Sequence, residues 1–89
     1  MAEPIILVLT EELKKRYQEL PAPIQKKFQK QLRFLQTDPK HPSLRIHRLN
    51  DEWEFYVDIH YRCFFHQDGN TYTLLTIGGH RIVDRYKCK

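Results

Sequence analysis

His80, Arg81, Arg85 and Tyr86 follow the apolar run "TYTLLTI" at 71–77 and the pair Gly78-Gly79. A small domain would be expected to close on a plain polar tail or a packed helix, so these residue types ask for a chemical reading. Similar groups recur upstream: Arg45, His47 and Arg48 in "LRIHRL", and His60 and Arg62 in "IHYRCFFH". Imidazole, with an ordinary pKa of about 6.5, moves protons at neutral pH. Guanidinium groups hold phosphate, and a tyrosine stacks on a base or passes a proton. Cleavage of RNA by its own 2′-hydroxyl needs only such groups: a base for the 2′ proton, cations for the charge on phosphorus and an acid for the 5′ oxygen.

Other chemistries find less support. All five histidines (His41, His47, His60, His66, His80) come after residue 40, and none of their spacings is a recognised zinc-ligand pair. There is no P-loop, dinucleotide fingerprint or nucleophile elbow, and Ser43 is the only serine. No metal and no cofactor is expected. Cys63 and Cys88 form no CxxC knuckle, and Cys63, inside an aromatic run, reads as a packing residue.

The elements that must position these groups come from one small domain, residues 1–89. Hydrophobic residues make up 40 % of the 89, charged residues 29 % and aromatic residues 12 %, a globular balance far from disorder. One core of this size leaves no second lobe to enclose a large cofactor, so the site must lie on the surface or in a shallow groove. The excess of 15 Lys and Arg over 11 Asp and Glu, a formal charge of +4, favours a polyanionic partner. The run Ile5–Leu9 is too short for a signal-peptide core or a membrane span, and a cytoplasmic protein is expected.

Residues 5–9 have the pattern of a short strand buried on both faces. Thr10 offers a helix N-cap ahead of Glu11 and Glu12, and Leu13, Tyr17 and Leu20 mark a short helix ended by Pro21 and Pro23. In a second helix Ile24, Phe28, Leu32 and Leu35 share a face, with Lys26, Lys27, Lys30 and Arg33 roughly opposite; that basic stripe is either a solvated face or a contact surface. After the turn-rich "TDPKHPS" the period becomes two. "LRIHRL" at 44–49 predicts an edge strand. Trp53, Phe55, Val57 and Ile59 alternate with Glu54, Tyr56, Asp58 and His60, and two further strands are joined by a hairpin across Gln67–Asn70. The expected fold is α+β, in the order β-α-α-β-β-β plus a short C-terminal tail. Two N-terminal helices pack on one face of a small antiparallel sheet, and the polar alternates occupy the other.

"HPSLRIHRLN", then "WEFYVDIHYRCFFHQDGNTYTLLTIGGH" and a closing Tyr resemble the RelE/ParE superfamily of type II toxin–antitoxin toxins. Its members typically show a basic "HPSLR.KRL" strand, "WE..V...YR..F", a DG-type turn and "L...G.H". The resemblance spans residues 21–86 and implies a RelE-like fold, a cognate antitoxin partner and ribosome-dependent mRNA endoribonuclease activity. It also implies roles. Arg62 matches the arginine that stabilises the scissile phosphate, His80 stands where an arginine or a histidine serves as acid or base, and Tyr86 matches an aromatic that stacks on or orients a base. Arg45 and Arg48 align with a basic pair on the RNA backbone, and His47 and His60 fall near histidines used by histidine-rich members. Ser43 stands near the carboxylate base of certain members. Arg81 and Arg85 complete the RNA-binding set. The alternatives are a ParE-like, non-catalytic inhibitor of DNA gyrase, or a decayed toxin that keeps only antitoxin binding. Arg62 could instead pair with Asp58 or Glu54 across the sheet, with His80 capping a strand end. On the functional reading, Gly78 and Gly79 turn the chain out of the last strand and deliver His80 beside Arg62.

Overall fold

The computed structural model describes residues 4–49 and 51–79. Strand β1 (Ile6–Leu9) leads into helices α1 (Glu11–Gln18) and α2 (Ala22–Thr37), a 3-10 turn (Pro42–Leu44), then β2 (His47–Leu49), β3 (Glu52–Tyr56), β4 (Arg62–Asp68) and β5 (Thr71–Gly78). The five strands lie in the order β1-β5-β4-β3-β2. Both helices cover one face, as the apolar spacing predicts.

Thr10 caps α1 and fastens it to the sheet. Its hydroxyl oxygen accepts the Leu13 N–H at 3.2 Å, and its proton is directed at the Leu74 carbonyl 2.8 Å away. Leu13 from α1 and Phe28 and Leu35 from α2 meet Phe55, Cys63, Phe65, Leu74 and Ile77 of the sheet, all at most 2 % exposed. Burying each of these large side chains contributes roughly 1.5–3 kcal/mol. The Phe28 and Phe55 rings stack at 6.3 Å across the layer. Cys63 is a packing residue as expected, and desolvation pushes its thiol well above the usual range.

Three expectations change. First, β1 is an edge strand and pairs parallel with β5, although the remaining pairs are antiparallel. Ile5 and Leu7 face the core while Ile6 (56 %), Val8 (42 %) and Leu9 (39 %) are exposed. A β-branched run reads the same whether one face or both are covered, so periodicity alone misassigned it. Second, the strand expected at 44–49 is confined to His47–Leu49, because Leu44 closes the 3-10 turn and Arg45 takes a left-handed conformation (φ 46°, ψ 52°). Third, β3 stops at Tyr56. The Asp58 carboxylate accepts the His60 and Tyr61 N–H groups at 2.8 and 2.9 Å, and the Val57 and Asp58 N–H groups reach the Tyr61 carbonyl. That local hydrogen bonding competes with the ladder and turns the chain. Ile59 is consequently 71 % exposed and not part of a strand.

The hairpin at 67–70 forms as predicted. Asp68 pairs with Thr71 around Gly69 and Asn70, with Gly69 at φ +59°. Among the described residues no helix is long and apolar enough to cross a membrane.

Candidate nucleic-acid interface

Register decides which side chains share the face away from the helices. Tyr56 pairs with Arg62, Arg62 with Gly78, Glu54 with both His47 and Phe64, and Phe64 with Thr76. The middle of this face is buried: Phe64 is fully covered, Thr76 is 1 % exposed and Glu54 3 %. The polar residues Glu54 and Thr76 do lie on this face, and at its centre they are buried. Among the described residues Glu54 Oε2 and Thr76 Oγ1 have no hydrogen-bond partner. Polar groups gather where β2, β3 and β4 meet the 41–46 and 57–61 turns.

The Tyr56 ring organises that cluster. The Arg62 guanidinium lies 3.6 Å from the ring centroid, the Arg45 guanidinium 5.5 Å away, and the His47 ring stacks against it at 5.9 Å and 20°. Arg62 Nη1 donates to the carbonyls of Ile59 (2.8 Å), Asp58 (2.9 Å) and Tyr61 (3.3 Å). Its contact with Asp58 is thus to the backbone. The Asp58 carboxylate is engaged by two amides and, at 3.7 Å, by Lys27. Among the described residues no carboxylate pairs with Arg62, whose guanidinium lies against an aromatic face.

The His47 Nδ1 contacts the Arg45 carbonyl, which can only accept, so Nδ1 is the donor in this contact, and a neutral ring held this way presents Nε2 as an acceptor. The left-handed turn at Arg45 aims that carbonyl, and Arg45 is the only non-glycine residue with positive φ among those described.

Arg45, His47 and Arg62 therefore come together. Arg48 does not join them: it pairs with Trp53 on the opposite face of the ladder, its guanidinium 5.7 Å from the indole. The aligned basic pair is split because Arg45 lies in the turn before β2 while Arg48, next to His47 in the strand, points to the opposite face from it. His60 sits exposed in the 57–61 turn, without a described contact to Tyr56. His80, Arg81, Arg85 and Tyr86 lie outside the described residues. Gly78 stays in the β5 ladder opposite Arg62, and Gly79 does not use positive φ; a Cβ there would meet the His60 carbonyl at 3.4 Å. That is an ordinary van der Waals distance, so neither a sharp turn nor a steric clash demands a glycine at this position.

Sequence reasoning missed two residues. Tyr56 had been placed among the polar alternates of β3, and its pairing with Arg62 was the unused signal. Gln31 stands three residues after Phe28 and four before Leu35, on the apolar face of α2, and is only 6 % exposed; that spacing was the signal that could have found it. Ser43, near the expected carboxylate base, has its hydroxyl 2.8 Å from His41 Nδ1 and 3.2 Å from Gln31 Oε1. It stands at the edge of the cluster as a hydrogen-bonding link.

No protein-family model matches the sequence, and no curated protein matches it. Solved structures do. YafQ from E. coli strain BL21(DE3) superposes with a TM-score of 0.74 at 9 % identity, over 89 % of this chain and 97 % of that one. A YoeB/ParE toxin from Agrobacterium tumefaciens gives 0.69 at 16 %, over 85 % and 99 %. A double arginine-to-alanine mutant of the E. coli toxin RelE in its free state gives 0.70 at 14 %, over 94 % and 92 %. The chain has the RelE/ParE-like fold, two helices on a five-stranded, mostly antiparallel sheet. The particular neighbours are toxins of the RelE, YafQ and YoeB kinds, and YafQ is also solved in a toxin–antitoxin complex with DinJ.

Proposed function

We propose that this protein is the toxin of a type II toxin–antitoxin pair, a metal-independent endoribonuclease that cuts mRNA on the ribosome. The observation that carries the reading is the Tyr56 ring with Arg62 stacked on it and Arg45 and His47 alongside. An aromatic face flanked by cations and an imidazole suits a single-stranded nucleic acid, whose bases stack and whose phosphates need counter-charge.

In the proposed reaction a base stacks on Tyr56 while Arg62 and Arg45 offset the charge that grows on the scissile phosphate. His47 Nε2 takes the 2′-hydroxyl proton, the 2′ oxygen bonds to phosphorus, and the bond from phosphorus to the 5′ oxygen breaks. His80 gives its proton to that leaving oxygen. The products are a 2′,3′-cyclic phosphate and a 5′-hydroxyl, so atoms and protons balance without water or metal. Tyr86 orients a neighbouring base, and His60, Arg81 and Arg85 act on the RNA backbone. A +4 protein sharing its fold with toxins solved in complex with antitoxins supports a protein antitoxin of complementary charge, acting in the cytoplasm.

Brief induction followed by primer extension on cellular mRNAs tests the reading. Discrete cuts inside translated frames, absent with Arg62→Ala, are expected. Growth arrest with uncut mRNA and blocked gyrase supercoiling would replace it with the ParE-like reading, and absence of arrest would indicate a protein that retains antitoxin binding alone.

A further inference from the structure

Both halves of the Tyr56 cluster hang from one side-chain amide in α2. Gln31 Nε2 donates one proton to the Tyr56 carbonyl at 2.7 Å and the other to the Ser43 carbonyl at 3.1 Å. Its Oε1 faces the Ser43 hydroxyl at 3.2 Å. The first carbonyl belongs to the residue that carries the ring; the second begins the turn that carries Arg45 and His47. The amide orientation is fixed by chemistry, since two carbonyls require two donors and only the nitrogen has them. From the same face of α2, Lys27 pairs with Asp58 in the turn beneath Arg62, and Phe34 stacks on His41 at 3.8 Å.

We propose that Gln31 is a positioning residue of the nucleic-acid site, setting the distance between Tyr56 and the Arg45–His47 turn. The inference rests on the reading of that cluster as an RNA-binding face. Helix α2 contributes no side chain to the cluster itself, so its influence on RNA passes through this buried amide. An apolar residue at position 31 would fill the space but orphan two carbonyls, which would find new partners by shifting the turn away from the strand.

The test is a double-mutant cycle read by anisotropy with a 2′-O-methylated, uncleavable single-stranded RNA oligonucleotide at low salt. Gln31→Leu is expected to weaken binding by ~10-fold when Tyr56 is present and by less than ~2-fold in a Tyr56→Ala background, the coupling expected of residues acting as one unit. Equal losses in both backgrounds, or no loss in either, would overturn the proposal. A second readout uses no RNA. The His47 Hε1 resonance, shifted by the current of the Tyr56 ring, should move toward its free value in Gln31→Leu, and an unmoved resonance would overturn the proposal equally. If Tyr56→Ala leaves RNA affinity unchanged, the RNA reading fails while the resonance still decides the role of Gln31. Where Gln31→Leu does not fold, Gln31→Glu replaces it. As a carboxylate it donates to neither carbonyl, and as a neutral acid it donates one proton, so its deficit relative to wild type should shrink as pH falls. A constant deficit would count against the proposal.

Discussion

Arg45 adopts φ 46° and ψ 52°, a conformation that costs an L-residue roughly 1–2 kcal/mol and a glycine nothing comparable. Replacing it by glycine and by alanine separates the backbone from the side chain. Both variants lose the guanidinium contact to Tyr56, worth about 0.5 kcal/mol at an exposed site. Only Arg45→Gly also relieves the backbone, offset by roughly 0.5–1 kcal/mol for the larger entropy of an unfolded glycine. Arg45→Gly should therefore be about 0.5–1 kcal/mol more stable than Arg45→Ala. In a domain of this size that is roughly 2–8 °C in melting temperature, with the glycine variant close to wild type. Binding should behave differently. Each variant removes one phosphate contact, so both should lower the slope of log affinity against log salt for single-stranded RNA by about 0.7. Calorimetry and salt-dependent anisotropy on the same three proteins suffice. Equal melting temperatures for the glycine and alanine variants would refute the strain, and an unchanged salt slope would refute the phosphate contact.

Tyr56→Ala should weaken single-stranded RNA binding by about 1–3 kcal/mol while Tyr56→Phe stays near wild type, because the proposed contact is a ring face; titration of both variants against one oligonucleotide checks it. His80→Gln and Arg62→Ala should each slow ribosome-bound mRNA cleavage by at least roughly 10²-fold with antitoxin co-purification intact, as measured by primer extension and pull-down. Cleavage should persist at EDTA concentrations that leave ribosomes assembled; loss of activity restored by zinc or manganese would revive a metal site among the histidines.

The helices were legible because Leu13 and Tyr17, and then Phe28, Leu32 and Leu35, repeat at helical spacing behind recognisable start signals. The hairpin was legible because a glycine stands where positive φ is required. β1 was misjudged since an edge and a centre strand use the same residue types, and only pairing tells them apart. The end of β3 was misjudged since the Val57 and Ile59 alternation continues through a turn that Asp58 imposes by hydrogen bonding. At the site, charge drew the reading to Arg45, His47, Arg48 and Arg62. The ladder then separated Arg48 from the others, a consequence of register that composition does not carry. Tyr56 and Gln31 were hidden for opposite reasons: one looks like an ordinary strand aromatic, the other like an ordinary surface amide.

Among the described residues the first strand of this protein has β5 as its one sheet neighbour, and the cap that starts α1 is completed by a carbonyl 64 residues further along. During synthesis, at about 5–20 residues per second, the N-terminal strand and helix leave the ribosome seconds before the strand that closes the sheet exists. Pairing across so long a loop carries a large loop-closure cost and slows folding. Arg62 and Tyr56 likewise lack the β5 ladder on their flank until Gly78 has emerged. A chain that has not yet emerged through Gly78 is thus an incomplete sheet, in which the β3–β4 pair of Tyr56 and Arg62 is not yet buttressed by β5.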